Sequence, residues 1–388
     1  MLQILEVNVT GHQSFGSLVD DGQYGNEIRK VEPFPMDAQQ VRVGSRLVGR
    51  GQPCFIVAEA GVNHNGDVNL GHKLIDSAAK ARVDAVKFQS FVAEELVTPQ
   101  AEKAQYQIRT TATGGQLEML KKLQLSPEDQ IELKSHCENV GILYLSTPYE
   151  KVSLDILDGL GVNAFKIAST DTTNTPFLRC VAEKGRPVIL STGMSTLGEV
   201  DEAMNVLTPL LKGKVILLHC TSEYPAPVDE ANLRAINTLE RAFACPVGFS
   251  DHTPGIRTSP WAVALGACVV EKHFTLDRTM NGPDHQASLP PNELAKLVET
   301  IRTLESALGD GVKRPTVSEL HNKPRMQKSL VATCDIRAGE VIKYSDLACK
   351  RPGIGLPPSW LERVVGRVAA VDIPRNTLLS LSSTDWRD

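Results

Sequence analysis

The sequence predicts an α/β protein, a (β/α)8 TIM barrel followed by a small, mostly β domain. Eight short runs rich in β-branched and apolar residues alternate with stretches of helical spacing. The runs are apolar on both faces, which suits a parallel sheet covered by helices. No G-x-G-x-x-G motif follows the first run, which disfavours a doubly wound open sheet. Eight strand–helix units over roughly 260 residues match the size of a (β/α)8 barrel.

The predicted strands occupy residues 54–61, 84–90, 142–148, 164–170, 187–193, 214–222, 246–252 and 268–275. Helix candidates between and after them are 70–81, 126–141, 197–211 and 290–309, the last with Pro near its start and Gly at its end. The segment from Phe91 to Leu125 is unusually long before the next clear helix. Loops of this length are usually functional lids or poorly ordered.

The 388 residues predict one large domain and something smaller, since domains average roughly 150 residues. Changes in sequence character along the chain divide it into four parts. These are an irregular N-terminal extension (1–40), the barrel (41–310), a polar linker (311–327) and the small domain (328–388), in which short strands and turn signals predominate.

Composition narrows the classes of partner. Lys and Arg number 41 against 46 Asp and Glu, a net charge of −5, so there is no basic field that would gather nucleic acid or anionic membrane. The eight cysteines form no C-x-x-C pair, and several lie in apolar runs, as expected in a reducing compartment. With no signal-peptide pattern and no run of 18 apolar residues, we expect a cytoplasmic protein that binds neither nucleic acid nor membrane.

Polar residues close each apolar run, where the active site of such a barrel lies. Lys87 and Lys166 each sit inside an apolar strand, where a lysine must pair with an anion or lose its proton. With nearby Ser and Thr hydroxyls, they describe a pocket for a phosphate or carboxylate. Two alternatives stay open: internal ion pairs with carboxylates such as Glu59 and Asp171, and Schiff-base chemistry on one lysine.

A pair of histidines ends the last two strands. His252 and His273 would meet in the same region, and neutral imidazoles suit a divalent transition metal with positions left open for water and substrate. Asp251 is a candidate to orient one of them. The alternative is two hydrogen-bonded histidines without a metal. In the small domain, Arg351 stands at the entrance of a PGIG loop, either as a clamp for polar groups or as a surface arginine.

The motifs AEAGVNHNG, AVKFQS, FKIAST, STGM, HCTSEYP, GFSDHT, EKHFTLD, GPDHQASL and KRPGIG occur in this order. With them the chain resembles the sialic acid synthase family, of the N-acetylneuraminate or legionaminate synthase type, from about Val41 to the C-terminus. The small domain is similar to the family's antifreeze-like (SAF) domain. The resemblance implies an enzyme that joins phosphoenolpyruvate to an N-acetylmannosamine-type aldose, giving a nine-carbon α-keto acid and phosphate.

The resemblance also implies roles for individual residues. It implies a divalent metal, Mn²⁺ before Mg²⁺ or Co²⁺, on His252 and His273, and a domain-swapped homodimer in which the partner's Arg351 reaches the acceptor sugar. Glu59 or Asp171 would transfer the proton of the attacking water. The substrate positions are Lys87, Thr147, Lys166, Ser169, Ser191 and Ser250 for phosphoenolpyruvate, and Gln89, Tyr224 and Asp284 for the acceptor. Ser222 is a further candidate for substrate binding.

Two positions depart from the pattern of some members. Ser169-Thr170-Asp171 stands where S-G-E occurs elsewhere, and Ser222 stands where some bacterial members have Asn. Both could reshape acceptor recognition. The acceptor therefore stays open between N-acetylmannosamine, its 6-phosphate and a 2,4-diacetamido-2,4,6-trideoxymannose. Two other classes remain as alternatives: a metal-dependent hydrolase on the same barrel and a non-catalytic carbohydrate-binding protein.

Overall fold

The computed structural model describes residues 40–111 and 114–386, which divide along the chain into two compact units, the first ending at Ala307 and the second beginning at Leu308. The predicted extension, apart from its last residue, lies outside the described residues. The strands of the first unit are β1 (Gln40–Val43), β2 (Arg46–Gly49), β3 (Phe55–Gly61), β4 (Ala85–Ser90), β5 (Leu143–Pro148), β6 (Phe165–Ile167), β7 (Val188–Ser191), β8 (Val215–Cys220), β9 (Val247–Asp251) and β10 (Val269–His273).

Strands β3 to β10 form one parallel sheet in the order β5-β4-β3-β10-β9-β8-β7-β6. The two end strands, β5 and β6, lie next to each other, which nearly closes the sheet into a barrel. Each of these strands falls inside a predicted run, so the prediction of a (β/α)8 barrel is confirmed. Strand β6 ends at Ile167, earlier than the predicted run 164–170, and a 3-10 helix over Ser169–Asp171 follows it.

The helices of the first unit surround the sheet. They are α1 (Val68–Lys80), α2 (Ala93–Leu96), α3 (Gln105–Thr110), α4 (Gln116–Leu123), α5 (Pro127–Val140), α6 (Lys151–Gly159), α7 (Thr175–Glu183), α8 (Leu197–Leu211), α9 (Ala235–Phe243), α10 (Thr258–Ala264) and α11 (Pro291–Leu308). The long segment after β4 thus holds three short helices. No helix within the described ranges is long and apolar enough to cross a membrane.

The two ends of helix α5 show how the local sequence determines where a helix begins and ends. The Ser126 hydroxyl accepts from the Asp129 backbone N–H, and the Asp129 carboxylate accepts from the Ser126 N–H, a capping box. Pro127 occupies the first helical position, and Gly141 ends the helix at φ 81°, in the left-handed region that favours glycine.

Alternation along the strands divides the unit into an outer core and a barrel interior. Outward side chains such as Ile56 and Phe88 pack under the helices, whereas Phe55, Val57 and Leu145 fill the N-terminal end of the barrel. The β1–β2 hairpin adds Val41, Val43 and Val48 to this interior layer and closes that end. The sequence patterns did not predict the hairpin. The polar residues are left at the other end of the strands.

The second unit is mostly β, as predicted. Its strands β11 (Ser329–Ala332) and β12 (Leu347–Lys350) pair antiparallel, and isolated bridges connect further extended segments. Leu330, Ile342 and Leu379 belong to its core. Its helices are α12 (Val317–Met326) and α13 (Leu361–Val364). Helix α12, which was not predicted, begins with a Thr316–Glu319 capping box inside the predicted linker.

Candidate active site

The strand register brings charged residues side by side at the C-terminal end of the barrel. Glu59 on β3 lies opposite Lys87 on β4 and opposite His273 on β10. Glu271 on β10 lies opposite Ser250 on β9. All five are nine-tenths or more buried. Because alternate residues share a face, they continue the inward-facing positions above the apolar layer.

These residues line a cavity of about 520 Å³. Of the residues proposed from the sequence in the first unit, Asp171 and Asp251 are not among its lining residues. The others line it: Glu59, Lys87, Gln89, Thr147, Lys166, Ser169, Ser191, Ser222, Tyr224, Ser250, His252, His273 and Asp284. Arg351 belongs to the second unit. One cavity in the barrel end therefore collects residues from all eight strands or the loops that follow them.

Two lysines and two carboxylates form the charged floor of the cavity. The Lys87 ammonium lies 2.9 Å from Glu59 Oε2 and 3.7 Å from Glu271 Oε2. The Lys166 ammonium lies 3.7 Å from Glu271 Oε1 and donates to Ser191 Oγ at 2.6 Å. Glu271 is thus shared between the lysines, so neither is fully neutralised by it.

Burial and charge act in opposite directions on this floor. Burial raises the pKa of Glu59 to about 7, against the effect of Lys87. Burial also disfavours the charged form of Glu271, but Lys166 and Lys87 outweigh it and lower the pKa of Glu271 to about 2. Burial lowers the pKa of Lys166, whereas the two carboxylates outweigh burial and raise that of Lys87. The floor therefore combines one firmly ionised carboxylate with one that titrates near neutral pH.

The position of Asp171 bears on the alternative that carboxylates such as Glu59 and Asp171 form internal ion pairs with the two lysines. Its carboxylate accepts from Asn174 Nδ2 at 2.9 Å and from the Thr170 hydroxyl, and it does not line the cavity, although Ser169 and Thr170 of the same 3-10 helix do. Lys87 does pair internally with Glu59, but the carboxylate between the lysines is Glu271. Glu271 was not singled out as a catalytic candidate, although its place inside the apolar run CVVEKHF carried the same signal as the two lysines.

The histidine pair lies beside this floor with ring centroids 5.6 Å apart. His252 Nδ1 lies 2.6 Å from the Thr221 carbonyl, which only accepts, so Nδ1 carries the proton and Nε2 keeps a lone pair. Burial lowers the pKa of His252 to about 4 and that of His273 well below its usual value, so both rings are neutral at pH 7. His273 Nδ1 is buried without a hydrogen-bond partner.

The two imidazoles fit a divalent cation, because metal-ligating imidazoles are neutral, and His252 is in addition held through its other nitrogen by the Thr221 carbonyl. The described part of the chain holds no group of three or more His, Cys, Asp or Glu side chains placed for a metal. The protein would therefore supply two ligands and leave the remaining positions for water or substrate.

Asp251 does not orient either histidine. It accepts from the Thr253 and Ser259 hydroxyls at 2.7 and 2.5 Å and lies 3.1 Å from the Lys272 ammonium. The Thr221 carbonyl orients His252 instead. The Asp251–Lys272 ion pair is buried and connects β9 to β10 directly behind the histidines.

Replacing Lys272 with methionine is expected to lower the free energy of unfolding by about 3–5 kcal/mol, because it leaves Asp251 as an uncompensated buried charge. Equilibrium denaturation in urea measures the change. Lys296→Met is the control, since it removes an exposed i,i+3 pair with Glu299 and should leave the midpoint nearly unchanged. A loss below about 1 kcal/mol in Lys272→Met would contradict the role given to this pair.

The polar rim around the floor is closely fitted. Gln89 Nε2 donates to Glu59 Oε1 at 3.3 Å, and the Tyr224 ring lies 4.2 Å from that of His252. The Gly193 N–H donates to Ser169 Oγ at 2.9 Å. A Cβ at Gly193 would clash with the Ser169 and Ser222 hydroxyls, so only glycine lets this loop approach the cavity so closely.

Another side of the cavity is apolar. We call this surface the apolar wall and define it as Phe91, Leu96, Val97, Met119, Leu120 and Leu123. It is built by the long segment after β4, mainly by α2 and α4. The sequence patterns marked this segment as functional or poorly ordered but did not predict an apolar surface in the site.

A barrel whose strand ends gather a lysine pair, a histidine pair and buried carboxylates in one cavity has the residue types of an enzyme active site. Comparison with known proteins gives the class. The model of the NeuB family matches residues 74–313, and that of the SAF domain matches residues 327–383. The chain belongs to the NeuB family, and its small C-terminal unit is a SAF domain.

Individual relatives agree with this assignment. The N,N'-diacetyllegionaminic acid synthase of Campylobacter jejuni is 48% identical over 84% of this chain and 98% of its own. The N-acetylneuraminate-9-phosphate synthase of Mus musculus is 35% identical over 88% and 95%. The crystal structure of N-acetylneuraminic acid synthetase from Leptospira borgpetersenii, in complex with citrate, is 37% identical, covers 73% of this chain and 95% of its own, and superimposes with a TM-score of 0.66. The predictions of family and of a condensing enzyme of the sialic acid synthase type are confirmed.

Proposed function

We propose that the protein condenses phosphoenolpyruvate with the open-chain form of an N-acetylmannosamine-type aldose, giving a nine-carbon α-keto acid and phosphate, with a divalent cation such as Mn²⁺. The observation that carries the proposal is the floor on which two lysines share Glu271 beside the neutral histidine pair. A metal-dependent hydrolase does not need such a lysine pair, and a non-catalytic carbohydrate-binding protein does not need buried carboxylates in its site.

The floor suits the anionic substrate. Lys87 and Lys166 offset the charges of the phosphate and carboxylate groups, and the hydroxyls of Thr147 and Ser191, which already accept from the lysines at 3.1 and 2.6 Å, hold the ammonium groups in place. C3 of phosphoenolpyruvate then attacks the aldehyde carbon, water adds to C2, and the C2–O bond to phosphate breaks. The lysines stabilise the charge that develops on the departing phosphate.

Glu59 is assigned the proton of the attacking water. It lines the cavity, whereas Asp171 does not, and contacts with Lys87 and Gln89 fix its two oxygens. A pKa near 7 lets one carboxyl accept a proton and release it again at neutral pH.

His252 and His273 would hold the cation. When bound, it supplies Lewis-acid polarisation of the acceptor carbonyl. The chain's own contribution is to keep both imidazoles neutral by burial and to fix His252 through the Thr221 carbonyl. The domain-swapped homodimer, with the partner's Arg351 at the acceptor, is part of the proposal. Within its own unit Arg351 is exposed and donates from Nε to the Met326 carbonyl at 3.0 Å.

A second candidate is the same reaction on 2,4-diacetamido-2,4,6-trideoxymannose. It is favoured by the 48% identity to a legionaminic acid synthase, against 35% for the mouse N-acetylneuraminate-9-phosphate synthase. N-acetylmannosamine 6-phosphate is the third acceptor to be compared.

The test is phosphate release from phosphoenolpyruvate in the presence of Mn²⁺, with each of the three acceptors in parallel and with EDTA controls. We expect release that needs both an acceptor and the metal, and formation of an α-keto acid in equal amount. Silence with all three acceptors, or turnover undiminished by the chelator, would refute the proposal in its present form.

A further inference from the structure

A buried thiol lies among the hydroxyl groups that line the cavity. Cys220 ends β8 and continues the inward-facing positions Ile216 and Leu218 of that strand. It is only 5% exposed and lines the cavity. Its Sγ lies 3.1 Å from the Oγ of Ser169, so that a hydrogen bond joins the two side chains, with either atom as the donor.

The hydrogen bonds around Ser169 Oγ limit what this hydroxyl can offer to a ligand. A serine hydroxyl has one hydrogen and two acceptor lone pairs. The Gly193 N–H donates to one lone pair at 2.9 Å. If the Ser169 hydroxyl donates to Cys220 Sγ, it has no hydrogen left for a ligand. If the Cys220 thiol instead donates to the second lone pair, the hydroxyl hydrogen is available to a ligand in the cavity.

An anion bound in the cavity favours the second arrangement. Ser169 follows Lys166 by three residues, and both line the cavity. Lys166 in turn donates to Ser191 Oγ, two residues before Gly193. A hydroxyl gains more by donating to a charged phosphate or carboxylate oxygen than to a thiol sulfur, which is a weak acceptor. A thiol that donates to the hydroxyl oxygen then polarises it and strengthens its bond to the anion.

We propose that Cys220 is a positioning residue, whose thiol donates to Ser169 Oγ and thereby makes the Ser169 hydroxyl a donor to the phosphoenolpyruvate anion. This inference rests on the proposed function and deepens it, since it gives the direction of the hydrogen bonds on one side of the anion site. Cys220 acts through Ser169 and needs no contact of its own with the substrate.

The first experiment replaces Cys220 with alanine, which removes the donor. We expect KM for phosphoenolpyruvate to rise about fivefold, the effect of one neutral hydrogen bond, while KM for the acceptor stays within twofold. Cys220→Ser keeps a donor at this position, so its KM for phosphoenolpyruvate should stay within twofold of the unsubstituted enzyme. A role of Cys220 in packing alone does not predict this rescue, because serine is smaller and more polar than the thiol.

A double-mutant cycle tests whether Cys220 acts through Ser169. Ser169→Ala alone should raise KM for phosphoenolpyruvate at least about 10-fold, because a hydrogen bond to a charged group is lost. Adding Cys220→Ala to Ser169→Ala should then change KM by less than twofold. Two effects that multiply in the double variant would overturn the inference, because Cys220 would then act independently of Ser169.

Cys268→Ala is the matched control, since the buried Cys268 thiol donates to the Val247 carbonyl at 3.2 Å but does not line the cavity. Its KM for phosphoenolpyruvate should stay unchanged. A KM within twofold of the unsubstituted enzyme in Cys220→Ala would overturn the inference, as would a Cys220→Ser variant as impaired as Cys220→Ala.

Calorimetric titration with phosphoenolpyruvate separates this inference from the proposed function, because it needs no turnover. If the unsubstituted enzyme releases no phosphate with any acceptor, the proposed function fails. The dissociation constants of phosphoenolpyruvate in the same variants then decide the inference by the same fold-changes. Absence of phosphoenolpyruvate binding to the unsubstituted protein would overturn both.

Discussion

Replacing Lys166 with methionine lowers kcat/KM for phosphoenolpyruvate by about 100- to 1000-fold, the expected cost of removing one preorganised cation from a buried site. Methionine keeps most of the length of the side chain but cannot offset the phosphate charge. It also leaves Glu271, now balanced by Lys87 alone, to repel the incoming anion. The loss should therefore appear in KM for phosphoenolpyruvate as well as in kcat.

Steady-state phosphate release at saturating acceptor measures the effect. Lys184→Met serves as the control, because Lys184 pairs with Asp155 and Asp158 on the outside of the barrel and should leave kcat/KM unchanged. A decrease of less than threefold in Lys166→Met would remove Lys166 from the proposed anion site.

Substituting His273 with alanine abolishes metal-stimulated turnover and weakens Mn²⁺ binding by at least about 100-fold, because one of two protein ligands is lost. His252→Ala should behave in the same way. Mn²⁺ binding followed by electron paramagnetic resonance gives a readout that does not depend on turnover. His321→Ala is the control, since His321 is exposed on α12. Full metal-stimulated turnover in either site variant would disprove the assignment.

The barrel was predictable because its signal is local and repeated. Each strand from β3 to β10 is a short apolar run followed by polar residues, and this periodicity survives without tertiary information. The β1–β2 hairpin gave no comparable signal. Its strands have four residues each, and its three core valines acquire their role only when the open end of a barrel is present for them to fill.

The sequence predicted which strand ends contribute residues to the site, but it did not predict which of these side chains form ion pairs with one another. Lysines inside apolar strands indicated an anion site, and two histidines on adjacent strands indicated a metal. Which carboxylate lies between the lysines depends on the register of β10 against β9 and β3. That carboxylate is Glu271, whereas the sequence had allowed Asp171 as an ion-pair partner. The apolar wall depends on how two short helices fold back, which periodicity over so few residues does not encode.

The separate packing of the apolar wall has a consequence for how such an enzyme can diverge. Its cluster is distinct from the two cores that stabilise the barrel, and it is formed largely by one continuous stretch of chain. Substitutions in this segment can therefore reshape one side of the cavity while the residues of the charged floor, and most of the folding stability, stay untouched.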